Sequence, residues 1–170
     1  KKFNLSLKHR IGDFKKIIEV DPDKSISIRS FIVGAISENL SYIKNVLESE
    51  DVLSTINCLR KLGVKIKKIK PKNYLIYGKG LGSLHAKKNT FLNFGNSGTL
   101  ARLLIGVLST TPNIEVKMQG DKSLNKRSMK KLIEIISNFG ASILPRNKFN
   151  FPLKLISSEM PIGIKYTEGD

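Results

Sequence analysis

The stretch TFLNFGNSGTLARLLIGVL, residues 90–108, changes character halfway along. Thr90 to Asn93 has the short β-favouring pattern of a strand, Phe94 to Ser97 is a Gly/Asn/Ser turn, and Gly98 to Leu108 is an apolar-rich run of helical length. Strand, tight turn and helix in immediate succession open an α/β unit. Toward the carboxyl end, Ile114 to Met118 predicts a second strand. Arg127 to Phe139 predicts a second helix, with Met129, Ile133 and Ile136 on one face and Gly140 closing it. Strands at Ala141 to Leu144 and Pro152 to Ile156 complete the order βαβαββ.

The same order runs upstream. Lys16 to Val20 predicts a strand, and Arg29 to Ser37 a helix that either Ser25 or Ser27 can cap. Tyr42 to Leu47 predicts the next strand, and Val52, Ile56, Leu59 and Leu62 form one face of a helix that Gly63 ends. Val64, Ile66 and Ile69 then alternate with polar residues, and Tyr74 to Tyr77 makes a strand before the turn glycines Gly78, Gly80 and Gly82. Local similarity supports a duplication. Ile32-Val33-Gly34 and Ser37 answer Leu104-Ile105-Gly106 and Ser109 about 72 residues on, and Leu62-Gly63-Val64 answers Phe139-Gly140-Ala141 about 77 residues on. The expected fold is therefore α/β (α+β) with tandem βαβαββ units: an amino-terminal segment with its strand at 1–20, a first unit at 21–83 and a second at 84–158. Residues 159–170 are expected to begin a third unit, with a strand at Ile162 to Tyr166, so the chain reads as a truncated piece.

No stretch approaches the ~20 apolar residues of a membrane span, and the basic opening lacks the apolar core of a signal peptide, so no membrane association and a cytoplasmic location are expected. Cys58 lies among apolar residues at helical spacing and is expected to be a buried small side chain. The formal charge is +16, from 30 basic against 14 acidic residues. Such an excess attracts nucleic acid, anionic surfaces or small polyanions, and most of it is lysine scattered along the chain rather than gathered into one patch.

Three constellations stand at strand-to-helix junctions, where free backbone N–H groups and the positive end of a helix favour anions. Lys24-Ser25-Ile26-Ser27-Ile28-Arg29 offers a mobile point charge, two hydroxyls and a bidentate guanidinium. Asn93-Phe94-Gly95-Asn96-Ser97-Gly98-Thr99 offers glycines that admit a ligand close to the backbone, with Asn96 and Thr99 as hydrogen-bonding side chains. Gly120-Asp121 leads to Lys126-Arg127 near a helix start, where cations are unfavourable unless an anion is bound. Each also reads as an ordinary cap, turn or solvated loop. Their coincidence suggests one shared polyanion site.

These motifs, in order, resemble the amino-terminal motifs of the 5-enolpyruvylshikimate-3-phosphate (EPSP) synthase family: Lys24 to Ser30, the Gly95-Asn96-Ser97-Gly98-Thr99 turn with Arg102 beyond it, and Gly120-Asp121 followed by Lys126-Arg127. Glu50-Asp51-Val52 and Leu62-Gly63-Val64 fit as well, and the likeness runs from about residue 16 to the end. It implies the enolpyruvyl transferase fold, with two of the three units of one domain present. It also implies transfer of the enolpyruvyl group of phosphoenolpyruvate to the 5-hydroxyl of shikimate 3-phosphate, with phosphate released on the route to aromatic amino acids. The resemblance implies neither metal nor organic cofactor, a monomer when complete, and no nucleic acid partner.

By the same resemblance Lys24 touches both substrates, Ser25 and Arg29 hold shikimate 3-phosphate, and Gly98 and Arg127 hold phosphoenolpyruvate, with Asn96, Thr99 and Asp51 close by. None of the catalytic groups is expected in this chain, because the family's principal carboxylates and a Ser-Ala-Gln substrate segment come from later sequence. Departures are Asp21-Pro22 where the family usually has Pro-Gly, Ile28 where it has Asn or His, and Ser128 where it has Pro. A glycine at position 98 implies that the complete enzyme is sensitive to glyphosate. UDP-N-acetylglucosamine enolpyruvyl transferase, the nearest rival, is expected to show a Lys-Asn pair and a loop cysteine; here Ser25 follows Lys24, and Cys58 falls in a helix. A basic RNA-binding α/β module is the rival from another class. It would bind RNA with steep salt dependence, yet the chain has no Trp and only 7% aromatics for stacking bases.

Overall fold

The computed structural model describes residues 20–167. Helix α1 (Lys24–Ile36) leads to strand β1 (Leu40–Ile43), helix α2 (Glu50–Lys61) and strands β2 (Lys65–Lys70) and β3 (Asn73–Tyr77). Strand β4 (Phe91–Asn93), helix α3 (Gly98–Ser109), strand β5 (Glu115–Gln119), helix α4 (Lys130–Asn138) and strands β6 (Ser142–Leu144) and β7 (Leu153–Ile156) follow. The first sheet has the order β1-β3-β2 and the second β4-β5-β7-β6. β1, β3 and β2 correspond in order and antiparallel pairing to β5, β7 and β6, while β4 adds a parallel neighbour to β5. The expected strand at Lys16 to Val20 lies outside the described residues except for Val20, which is in no strand.

Both sheets turn their apolar faces to one core. Phe31, Leu59, Ile76, Leu92, Phe94, Leu100, Leu104 and Leu108 are fully buried in it, and Cys58 is buried among them. Burial drives the Cys58 thiol up to about 12, and its Sγ donates to the Asn93 carbonyl at 3.3 Å, so the side chain is a packed apolar group rather than a nucleophile.

The glycine stops occur where the sequence places them. Gly63 (φ 86°) follows α2, its N–H bonding to the Arg60 carbonyl and that of Val64 to Leu59; Gly140 (φ 93°) follows α4 with the same pair of bonds to Ser137 and Ile136. These are two Schellman motifs, which need a left-handed residue that glycine adopts without steric cost. α2 also carries Glu50 and Asp51 in its first turn and Arg60 and Lys61 in its last, which suits the helix dipole.

Four expectations are corrected. α1 begins at Lys24 rather than near Arg29, because the Asp23 carboxylate takes the cap, accepting from Ile26 N at 2.7 Å. Ser27 instead sits inside the helix, donating to the Asp23 carbonyl and accepting from Leu47 N. β1 spans Leu40–Ile43 rather than reaching Leu47, since Asn45 turns left-handed at φ 53°. α4 begins at Lys130, not Arg127: a separate 3-10 turn covers Leu124–Lys126, and Arg127 is extended at φ −79°, ψ 131°. Ile162 to Tyr166 forms no strand, and among the described residues nothing pairs with it.

Candidate functional site

β4 and β5 run parallel, with Asn93 beside Gln119, so the loops that leave their carboxyl ends emerge side by side. Ligands gather at the carboxyl ends of parallel strands because helix N-termini and turn amides open there. The loop after β4 turns at Gly95 (φ 57°), where the Asn93 side chain accepts from Gly95 N at 3.0 Å, and Ser97 then caps α3 by accepting from Leu100 N at 3.2 Å. The loop after β5 is joined to it by Asp121 N, which donates to the Gly95 carbonyl at 2.8 Å.

Between these loops Asn96 holds two partners: its Nδ2 donates to Asp121 Oδ2 at 2.8 Å, and its Oδ1 accepts from Nη2 of Arg127 at 2.9 Å. Asp121 Oδ1 accepts from Leu124 N at 2.7 Å, and that bond, followed by those from Asn96 and Ser123 and the nearby Arg127 charge, holds its carboxyl below the usual range. Arg102, one turn into α3, reaches back to the Gly98 carbonyl at 3.4 Å. A Cβ at position 98 would lie 2.8 Å from Nη1 of Arg102 and 3.2 Å from Nη1 of Arg127. Two guanidinium groups therefore flank a helix N-terminus whose first residue has no side chain, an arrangement suited to an anion bearing more than one charge.

The second grouping lies at the N-terminus of α1. Lys24 Nζ pairs with Asp51 Oδ2 at 2.9 Å, which places the first turns of α1 and α2 together. Ser25 is half-buried in that turn and Arg29 is exposed; among the described residues neither side chain has a hydrogen-bond or ion-pair partner. α2 lies between the two groupings. Asp51 reaches Lys24, while the Ser54 hydroxyl would be 3.0 Å from a Cβ on Gly95. Thr99 is half-buried in the first turn of α3.

The sequence argument from Lys126-Arg127 at a helix start does not hold, since Arg127 precedes α4 in extended backbone; its guanidinium nevertheless arrives at another helix, α3. Asp121 and Arg102 were visible as motif members without a role. The signal for Asp121 was its spacing to Leu124, the amide that it caps. Among the described residues no group of His, Cys, Asp and Glu is arranged to hold a metal ion, and no helix is long and apolar enough to cross a membrane.

The family described as EPSP synthase (3-phosphoshikimate 1-carboxyvinyltransferase) matches residues 8–167. A 3-phosphoshikimate 1-carboxyvinyltransferase of Syntrophomonas wolfei subsp. wolfei is 40% identical over 166 residues, covering 98% of this chain and 37% of that protein. One from Streptococcus pyogenes serotype M1 is 40% identical over 164 residues, covering 96% and 37%. The solved EPSP synthase from Acinetobacter baumannii matches with a TM-score of 0.79 at 37% identity, over 88% of this chain and 34% of that one. The chain thus spans little more than a third of the length of the curated relatives it matches.

Proposed function

The chain belongs to the EPSP synthase family, and on that basis we propose that it supplies the amino-terminal part of the substrate site of an enolpyruvyl transferase acting on shikimate 3-phosphate and phosphoenolpyruvate. The observation that carries this reading is the meeting of Arg127, Arg102 and Asn96 at the bare N-terminus of α3. Phosphoenolpyruvate bears a phosphate and a carboxylate on the same carbon, and two guanidiniums beside the positive end of α3 offset that charge density. Arg127 clamps it, and Gly98 lets it approach the backbone. Lys24 stands between the two ligands, exchanging its Asp51 partner for their oxygens, while Ser25 and Arg29 hold shikimate 3-phosphate and Asp51, Asn96 and Thr99 line the approach.

Holding both anions together orients the 5-hydroxyl toward the enol carbon. The hydroxyl oxygen gives up its proton to a base as it bonds to that carbon, while the methylene gains a proton from an acid, giving a tetrahedral ketal. Loss of phosphate and of a methyl proton then restores the C=C bond and leaves the enol ether as product. The proton-transfer carboxylates come from sequence beyond this chain. Units at 21–83 and 84–158 are two of the three in one domain. Ile26 and Val33, both exposed and seven residues apart on α1, give the third a surface to cover. The complete enzyme works in the cytoplasm as a monomer and is inhibited by glyphosate.

The test is phosphate release from phosphoenolpyruvate in the presence of shikimate 3-phosphate. The full-length gene product is expected to release it, the 170-residue chain alone not. No release by the full-length protein, or turnover by the chain alone, overturns the corresponding part of the proposal.

A further inference from the structure

We propose that Asp121 is a positioning residue: through the Asn96 amide it fixes the Arg127 guanidinium over the N-terminus of α3, with Nη2 engaged and Nη1 turned toward Gly98 and an incoming anion. The inference rests on the reading of Arg127 as a ligand of phosphoenolpyruvate, while its structural half stands apart from it.

An amide side chain has a donating and an accepting end, and its orientation is set by whichever neighbour can make only one kind of bond. Ionised Asp121 can only accept. It takes the Nδ2 of Asn96, which forces the Oδ1 of Asn96 toward Arg127, where only a donor can meet it. Both carboxylate oxygens are needed, because Oδ1 is occupied by Leu124 N while Oδ2 serves Asn96. The carboxylate itself is well anchored. Asp121 N binds the Gly95 carbonyl, Asn125 N binds the Asp121 carbonyl at 2.9 Å, Gly120 N binds Asn125 Oδ1 at 2.8 Å, and Leu124 is fully buried beneath the turn. Arg127, by contrast, is exposed and lies in extended backbone, with no helix to hold its side chain. The order of its guanidinium is therefore supplied from β5, through the loop after β4.

Asp121→Asn separates this role from simple electrostatics because the two predict opposite signs. Removing a negative charge beside Arg127 would tighten anion binding if Asp121 acted only as a counter-charge. If it positions, the substituted amide keeps one acceptor for Leu124 N and presents an NH2 to Asn96; the Asn96 amide reverses and aims a donor at a guanidinium that can only donate. Binding then weakens. The double variant N96D/D121N keeps the net charge and allows every bond again: the amide now at position 121 donates to the carboxylate now at position 96, and that carboxylate accepts from Arg127.

The experiment uses the full-length gene product. Side-chain 15N relaxation at Arg127 Nε, without ligand, is expected to show an ordered guanidinium in the wild type, a mobile one in D121N, and order restored in N96D/D121N. Titration with phosphoenolpyruvate is expected to give about tenfold weaker binding for D121N. An ordered Arg127 in D121N, or unchanged or tighter binding by D121N while Arg127→Ala loses binding, overturns the proposal. If Arg127→Ala itself leaves phosphoenolpyruvate binding unchanged, the functional reading of Arg127 fails, and the relaxation result alone decides whether Asp121 positions it.

Discussion

α1 and α3 hold the same place in the two halves and start alike, each capped by a side-chain oxygen, Asp23 or Ser97, bonded to the N–H three residues on. They differ at the next residue. α1 has Lys24, a cation at the helix end that repels cations, and α2 supplies Asp51 to offset it. α3 has Gly98, and the space without a side chain is flanked by guanidiniums from Arg102 and Arg127. A helix N-terminus can thus be charged in two ways. One carries its cation on the helix itself with a counter-charge in reserve; the other leaves the helix bare and brings cations from elsewhere.

Arg127→Ala tests this contrast most severely. A charge-assisted hydrogen bond contributes roughly 1.5–3 kcal/mol, so phosphoenolpyruvate binding is expected to weaken by about 10–100-fold with shikimate 3-phosphate binding little changed, as read by titration of each ligand. Lys24→Ala is expected to weaken both ligands by about tenfold, while loss of its half-exposed pair with Asp51 costs only about 0.2–1 kcal/mol of stability in a thermal melt. A Lys24 variant that affects only one ligand would remove the distinction between the two helices.

Gly98→Ala probes the bare helix end directly. Its Cβ falls 2.8 Å and 3.2 Å from the far ends of two flexible arginines, so these move, phosphoenolpyruvate affinity falls by several-fold to about tenfold, and the melting temperature hardly changes. Gly120→Ala is the control. There the Cβ would meet Leu124 Cδ2 and, at 2.6 Å, Leu124 Cβ, side-chain atoms packed in the core, so it is expected to lower stability by about 1–3 kcal/mol.

The mildest effect concerns Glu48, which accepts from Lys68 at 2.9 Å and from the Tyr74 hydroxyl at 2.6 Å, bonds that bring its carboxyl down to about 2. A carboxylate with a lowered folded-state value stabilises above its unfolded value, and that stability fades as pH falls toward 2. Glu48→Gln is therefore expected to flatten the acid side of the stability profile between about pH 4.5 and 2, with no change in ligand binding. An unchanged acid limb would show that Glu48 is equally well partnered in the unfolded chain.

Much of the fold was legible because its signals are local. The Gly63 and Gly140 stops, the apolar faces of α2 and α4 and the short strand at Tyr74 to Tyr77 each depend on residues within a turn or two of one another. The start of α1 was misjudged because Ser25 and Ser27 are good caps in isolation, yet Asp23 precedes them and its carboxylate reaches the amide first.

The order of the strands and helices from α1 to β7, and the glycine stops that end α2 and α4, could be read along the chain, since period and glycine stops act over a few residues. That Asp121 and Asn96 meet could not, because it depends on β4 and β5 lying parallel with their carboxyl ends level. Nor could the destination of Arg127, whose neighbours in sequence suggested the start of α4 but whose guanidinium serves the N-terminus of α3. A side chain of arginine's length in extended backbone takes its position from the bonds offered around it, and those bonds come from residues 31 positions away.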